Sequence, residues 1–229
     1  MIHVISLGAG VQSSAMALMF AAGELEPLPD VCIFADVGAE PQYVYDYLDY
    51  LDGLGLPFPI KRVMWKAGLL ENIKDSIKGA RFAGAPFYTE SDGLREGQLR
   101  RQCTREFKVQ PITQELRRMV GLKYRQRAPK KILVTQYIGI SYDEVIRMRP
   151  SRSPWIKHEW PLVDLKMHRQ DCLDWMAERG HPKPARSACT YCPYHSDCEW
   201  YDLKVNHPDD FESAAEIDRL IRGGVRGTT

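Results

Sequence analysis

Three cysteines and a histidine fall within ten residues: Cys189-Thr-Tyr-Cys192-Pro-Tyr-His195-Ser-Asp-Cys198. A Cys-x-x-Cys turn directs two thiolates at one metal, and a third cysteine six residues on closes a face. The spacing satisfies zinc and iron–sulfur chemistry alike. Zinc accepts Cys₄ or Cys₃His, which leaves the fourth position to His195 or to a remote cysteine such as Cys103. Cys32 lies inside an apolar run and Cys172 beside Leu173 and Trp175, so both read as core residues. Disulfides are rare in reducing compartments, and clustered cysteines there point to metal or redox chemistry.

A second chemical stretch is Ser6-Leu-Gly8-Ala-Gly10-Val-Gln-Ser13-Ser14, between an apolar run and a helix-forming one. Small residues let backbone N–H groups approach an anion, and a helix N-terminus adds positive potential. No Gly-Lys-Ser/Thr follows, so this is not a Walker A loop; the third glycine of a dinucleotide fingerprint is also missing. Glycines at a strand end also serve as plain turns. Asp36 ends the next apolar run, where an open sheet places its ligand crevice. It fits a ribose hydroxyl or Mg²⁺, and equally a turn or helix cap. Further on, Asp143-Glu144 is followed by Arg147, Arg149 and Arg152. Arginine forks match phosphate geometry, although such charges also make salt bridges within a helix.

These residues need a scaffold. Residues 2–7, 31–35 and 59–64 read as strands, and 13–22 and 41–54 as helices, the latter with Pro41 at its start. Alternation of strand and helix is the pattern of a doubly wound parallel sheet. Residues 131–138 give a fourth strand and 155–160 a fifth, with helices at 111–120 and 168–179. Residues 79–100 show no periodicity and read as a long loop. The expected layout is an α/β domain over 1–180, with a loop-rich basic insertion at 79–131. A cysteine-cluster helical subdomain follows over 181–222, then a loose tail, 223–229.

The chain has 229 residues and a net charge of +1, with 44% hydrophobic and 27% charged residues. That is a globular profile, not a disordered one. No apolar run is long enough to span a membrane, and the first residues lack the basic and apolar regions of a signal peptide, so a cytoplasmic protein with no membrane partner is expected. The charge is uneven. Residues 95–131 hold twelve Lys and Arg against three acids, a local +9, so the rest of the chain carries −8. Residues 24–52 hold eight acids and no Lys or Arg. Such a basic segment suits a polyanion, RNA or DNA, as readily as it suits a solvated face.

Ser6-x-Gly8-x-Gly10-x-x-Ser13-Ser14 resembles the PP-loop of the ATP pyrophosphatases, with Leu7 for a glycine, one extra residue, and Ser13 where Asp is common. Three further stretches, in order, resemble motifs of the phosphoadenosine phosphosulfate reductase family and its phage and bacterial relatives. They are Phe34-Ala-Asp36-Val-Gly38-Ala-Glu40-Pro41, Arg101-Gln-Cys103-Thr with Lys108 and Pro111, and Gly139-Ile-Ser141-x-Asp143-Glu144-x-x-Arg147. The resemblance spans residues 2–222. It implies a PP-loop (HUP-like) fold that binds ATP with Mg²⁺ through Ser6, Gly8, Gly10, Ser13, Ser14 and Asp36. Lys108 and Arg147, with Asp36, are the implied catalytic residues. It also implies a [4Fe–4S] cluster on Cys103, Cys189, Cys192 and Cys198, as in the DNA phosphorothioation enzymes and assimilatory reductases, with Zn²⁺ the alternative. The iron–sulfur reductases carry a Cys-Cys pair where this chain has Gln102-Cys103.

The implied activity is adenylation of an acceptor, with pyrophosphate release, coupled to sulfur transfer from a donor protein. The basic segment suggests a nucleic acid as that acceptor. A sulfonucleotide reductase is the second reading; it uses a C-terminal cysteine nucleophile, and here nothing follows Cys198 but a cysteine-free tail. A non-catalytic, metal-stapled nucleic-acid-binding module is the third.

Overall fold

The computed structural model describes residues 1–80, 84–91, 94–123 and 125–223; side-chain placement is further limited at 91 and 94–96. Most of the tail marked as loose, 224–229, lies outside the described residues, as do Tyr124 of the basic segment and part of the 79–100 stretch.

The chain forms two compact units. The first comprises Met1–Ala35, Gln42–Val63 and Ile112–Ser187. The second comprises Asp36–Pro41, Met64–Pro111 and the chain from Ala188 onward. The division therefore differs from the expected 1–180 and 181–222: the stretch around Cys103 belongs with the cysteine turn, and the sheet domain does not contain it.

The first unit is built on a five-stranded sheet of order β3-β2-β1-β6-β7. Its strands are β1 (Ile2–Leu7), β2 (Val31–Asp36), β3 (Ile60–Met64), β6 (Val134–Ile138) and β7 (Ile156–Glu159). β1 runs parallel to both β2 and β6, and β6 parallel to β7. Each expected strand is present, shifted by at most three residues at an end. The apolar runs are continuous because both sheet faces are covered. On one face Ile5, Leu7, Cys32, Phe34 and Tyr137 pack against α1 (Val11–Ala21), α2 (Gln42–Gly53) and α6 (Arg169–Glu178). On the other, Val4, Val31, Ile33, Val134 and Ile156 meet Ile112, Leu116 and Met119 of α4 (Gln110–Met119). This is the doubly wound α/β arrangement. The strand order reverses between β1 and β6, so the loops that leave those two strands flank the topological switch point, where open sheets of this kind bind ligands.

The second unit has its own core of Leu69, Ile73, Phe87, Phe107, Tyr191, Ile217 and neighbours. It contains α3 (Gly68–Ile77), the hairpin β4 (Tyr88–Ser91) and β5 (Leu94–Gln98), a π-helical turn over Thr104–Val109, α7 (Asp197–Asn206) and α8 (Pro208–Ile221). The hairpin corrects the reading of 79–100 as a loop throughout. Its strands are four and five residues long, too short for a clear period, and the turn signal was the Asp92-Gly93 pair between them. No helix among the described residues is long and apolar enough to cross a membrane.

Candidate functional sites: a glycine-serine loop and a cysteine turn

The glycine-serine loop leaves β1 and enters α1. Gly10 is the extended residue before the helix, with no side-chain cap, so the helix's first N–H groups are not blocked by a capping side chain. Ser13 ties the turn together: its hydroxyl accepts from the Gly8 N–H at 3.0 Å and donates to the Gly10 carbonyl at 3.2 Å. The residue with positive φ is Ala9, at 55°, not either glycine. A side chain at Gly8 or Gly10 would meet only ordinary contacts, Ser13 Oγ at 3.6 Å and Ser187 Cβ at 3.5 Å. The two glycines therefore keep the loop surface bare; they do not relieve strain. The glycine that sterics demand is Gly139, directly after β6. A Cβ there would lie 2.6 Å from both the Cα and the N of Ser13. The loop rests against a bare backbone at the switch point.

The other residues expected at the loop are mostly engaged. The Ser6 hydroxyl accepts from Gln136 Nε2 at 2.5 Å, bridging β1 and β6. Ser14 is fully buried and lies near the Tyr47 phenol; neither hydroxyl has a partner of good hydrogen-bond geometry among the described residues. Burial pushes the Tyr47 phenol up to about 12, so it stays neutral. Asp36 ends β2 and accepts the Gly38 N–H at 2.7 Å, which makes it a turn residue as well as a candidate ligand. Glu144 pairs with Arg147 and accepts from Gln12 Nε2 at 3.1 Å. Asp143 accepts the Arg169 N–H at 3.0 Å. Both acids of the Asp143-Glu144 pair are thus committed to protein partners. Arg149 donates to the carbonyls of Ile146 and Met148. Two residues beside the loop escaped the sequence reading. Gln12 links the first turn of α1 to Ser141 and Glu144, and the Arg169 guanidinium donates to Gln12 Oε1 at 3.2 Å. Neither occupies a position that periodicity or a motif marks.

The cysteine turn lies in the second unit. The Cys189 and Cys192 thiols share a hydrogen bond that, together with burial, raises the Cys189 pKa. The same hydrogen bond lowers that of Cys192 against the effect of burial, and the Tyr194 N–H, His195 and Arg101 act in the same direction. The Thr190 N–H donates to the Ala39 carbonyl at 2.8 Å, anchoring the turn to the Asp36–Pro41 segment. Cys103 precedes the π-helical turn. Its loop is fixed from α3: Asn72 Oδ1 accepts the Gly84 N–H at 2.9 Å, and the Gly84 carbonyl accepts the Gln102 N–H at 3.0 Å. A Cβ on Gly84 would come within 2.9 Å of Asn72 and Phe107, so this position too requires glycine.

Cys103 and Cys189 pack on the same apolar cluster, and both thiols raise the pKa of Lys108. Burial alone would lower that pKa; the dominant opposing cause is Glu40, whose Oε1 lies 3.2 Å from the ammonium. The Glu40 side chain is 0% exposed and its second oxygen has no hydrogen-bond partner among the described residues. Lys108 is therefore no free surface lysine. It pairs with a buried carboxylate and lies near enough to two cysteines to feel their charge.

His195 Nε2 meets the Cys189 carbonyl at 3.0 Å, and buried Nδ1, 4.0 Å from Glu199, makes no hydrogen bond among the described residues. Cys189, Cys192 and Cys103 share one neighbourhood, while Cys198 is exposed in the first turn of α7. Among the described residues, no three His, Cys, Asp or Glu side chains are gathered closely enough to hold a metal ion as they stand. Cys32 and Cys172 are fully buried in the first unit, and burial raises both thiols, Cys172 to about 11, as core cysteines require.

No family model matches the chain, and no curated protein matches it. Among solved structures, the chain is similar to a phosphoadenylyl-sulfate (PAPS) reductase from Candida auris in a phosphate complex. Identity is 14%, with 80% of this chain and 74% of that one covered and a TM-score of 0.49. It is also similar to the U34-tRNA thiolase NcsA from Methanococcus maripaludis with its [4Fe-4S] cluster. There identity is 17%, with 95% of this chain and 71% of that one covered and a TM-score of 0.49.

The basic segment 95–131 is divided by the fold. Arg100, Arg101, Arg105 and Lys108 belong to the cysteine-bearing unit, whereas Arg117 to Lys131 belong to the sheet unit. Arg117 donates to the carbonyls of Lys123 and Gln126, and Arg118 is bound to Glu115.

Proposed function

We propose that the protein is a PP-loop enzyme that binds ATP with Mg²⁺ at the glycine-serine loop and adenylates an acceptor, releasing pyrophosphate. The observation that carries the reading is the loop itself. A bare Gly8–Gly10 turn enters an uncapped helix at the switch point of a parallel sheet and is wedged on Gly139. Backbone N–H groups and the helix dipole favour phosphate there. Transfer of AMP turns a poor leaving oxygen into a good one, which prepares the acceptor for attack by sulfur. Arg147 is the nearby guanidinium fit to meet phosphate charge, provided it leaves Glu144. Asp36 is the candidate for ribose or Mg²⁺.

The second half of the reading is sulfur transfer from a donor protein to the activated acceptor. Cys103, Cys189 and Cys192, with Cys198, are the residues that would hold a [4Fe–4S] cluster or, in the alternative, zinc. Such a cluster supplies a thiophilic metal edge for sulfur. The donor chemistry fits: all four are free cysteines, and Lys108 sets a positive charge near Cys103 and Cys189. The acceptor is read as nucleic acid from the charge of the basic segment. A sulfonucleotide reductase remains the second reading, supported by the motif order, and a non-catalytic binding module the third.

The test is anaerobic purification with iron, sulfide and zinc analysis, followed by a pyrophosphate-release assay with ATP and candidate acceptors. Pyrophosphate released only when acceptor is present supports adenylation. ATP binding without release, whatever the acceptor, would refute it and favour the binding module.

A further inference from the structure

Beside Cys103 the surface carries a groove of about 400 Å³ lined by Arg100, Arg101, Gln102, Arg105, Glu106 and Gln110. Its charge is unusual for this protein. Most other cations of the basic segment with a described partner are spent on the protein itself: Lys108 on Glu40, Arg117 on two carbonyls, Arg118 on Glu115. Arg100 and Arg105 are exposed and form no ion pair among the described residues. Arg101 gives one hydrogen bond to Thr104, at 3.3 Å, and lays its guanidinium over the ring of Tyr194 at 5.4 Å from the centroid. Tyr194 is 39% exposed and is held from its hydroxyl by Gln98 at 3.3 Å. Uncompensated guanidinium groups beside an anchored, half-exposed aromatic ring make a site for phosphate charge next to a planar group.

The chain places this pair beside the cysteines. Arg101 is two residues from Cys103, and Tyr194, over whose ring the Arg101 guanidinium lies, is two residues from Cys192. A base bound there lies near the sulfurs, and only a base outside a duplex stack can do so. The volume is near the lower end of the range for small-ligand sites, roughly 300–1,000 Å³, which admits about one nucleotide of a strand and not the width of a duplex.

We infer that this groove docks a single-stranded segment of the nucleic-acid acceptor, with Arg100 and Arg105 on its phosphates and the Arg101–Tyr194 pair as the platform for one unstacked base. The inference rests on the proposed function for the existence of a nucleic-acid acceptor and adds where and in what form it binds. Phosphate binding by guanidinium groups releases counterions, whereas stacking does not, so the two contributions separate by salt dependence.

The experiment is fluorescence anisotropy with labelled 12-nucleotide single strands of DNA and RNA, and the matching duplexes, across a salt series. Wild-type protein should prefer single strands. Arg100→Ser with Arg105→Ser should weaken strand binding by about tenfold or more at low salt and reduce the log–log salt slope by about 1.4, near 0.7 per lost phosphate contact. Tyr194→Ala should weaken binding roughly tenfold with the slope unchanged, and Tyr194→Phe should restore it. Lys130→Ser with Lys131→Ser, in the other unit, should change little. All substituted positions are exposed, and unchanged thermal melts confirm that the variants fold. An unchanged slope in the double arginine variant would overturn the inference. So would equal affinity for duplex, or strand binding that inorganic phosphate alone displaces at matched ionic strength, which makes the groove a simple anion site. Pyrophosphate release and ATP affinity are read separately: strand binding that follows the predicted pattern without any adenylation sinks the proposed reaction and leaves the docking groove standing.

Discussion

Replacing Gly139 by alanine is the sharpest test of the loop. The added Cβ would sit 2.6 Å from Ser13 Cα and N and 3.0 Å from the Gln12 carbonyl carbon. Carbon atoms in contact sit near 3.5–4.0 Å, so the two backbones must separate by about 1 Å. No flexible side-chain tip can give way, because the struck atoms are backbone of the first turn of α1. That turn cannot simply retreat: Ala15, Met16, Ala17, Leu18 and Met19 behind it are buried in the core. Overpacking of this kind costs about 1–3 kcal/mol, which in a protein of this size lowers the melting temperature by roughly 2–12 °C. A shift of about 1 Å also breaks the Ser13 hydrogen bonds to Gly8 and Gly10 that set the N–H groups of the loop, and ATP affinity should fall by about tenfold or more, worth about 1.4 kcal/mol. Differential scanning fluorimetry and calorimetric titration with ATP read the two effects. Gly53→Ala is the control, since a Cβ at the end of α2 meets nothing within 4 Å and its φ is not positive; it should be neutral or stabilising by up to ~1 kcal/mol. If Gly139→Ala melts and binds ATP like wild type, the loop is not wedged on this strand end and the phosphate site is misplaced.

Lys108→Met should destabilise the protein by about 3 kcal/mol in urea titrations, because it strands a Glu40 carboxylate that is already short of one partner; Glu40→Gln with Lys108→Met should recover most of the loss, and no recovery would show that the pair is not the cause. Cys103→Ser, Cys189→Ser and Cys192→Ser should each purify anaerobically without iron or zinc, and a Cys103→Ser protein with full metal content removes Cys103 from the ligand set. Glu115, held by Arg118 and Lys61, has its pKa lowered, chiefly by the Arg118 hydrogen bond. The folded state therefore favours the carboxylate, and its stabilisation is present at neutral pH and lost as pH falls through the folded pKa. Thermal melts of Glu115→Gln and wild type should differ at pH 7 and converge only as the pH falls below the lowered folded pKa of Glu115; a constant gap would assign the loss to packing.

The strands and most helices could be read from the chain because the physics that forms them is local. Runs such as Val31–Ala35 are apolar on every residue only where helices cover both faces, and Gly-rich breaks bound them. The glycine loop and the Cys-x-x-Cys turn were legible for the same reason: each is a contiguous stretch whose chemistry follows from spacing. Tertiary packing decided the rest. The hairpin at 88–98 was hidden because two strands of four and five residues carry no period. Gly139 stood in a recognisable motif, but its reason, the Ser13 backbone against it, lies some 126 residues away in sequence. Glu40 and Lys108 are 68 residues apart in two separate motifs, and only burial pairs them. The largest change concerns charge. The sequence counts +9 over residues 95–131, but counting does not say which cations already have partners. The fold assigns Arg117 and Arg118 to the sheet unit and to internal partners, and leaves Arg100 and Arg105 without an ion pair among the described residues, beside Cys103. Composition sets the amount of charge; only packing determines how much of it remains for a ligand.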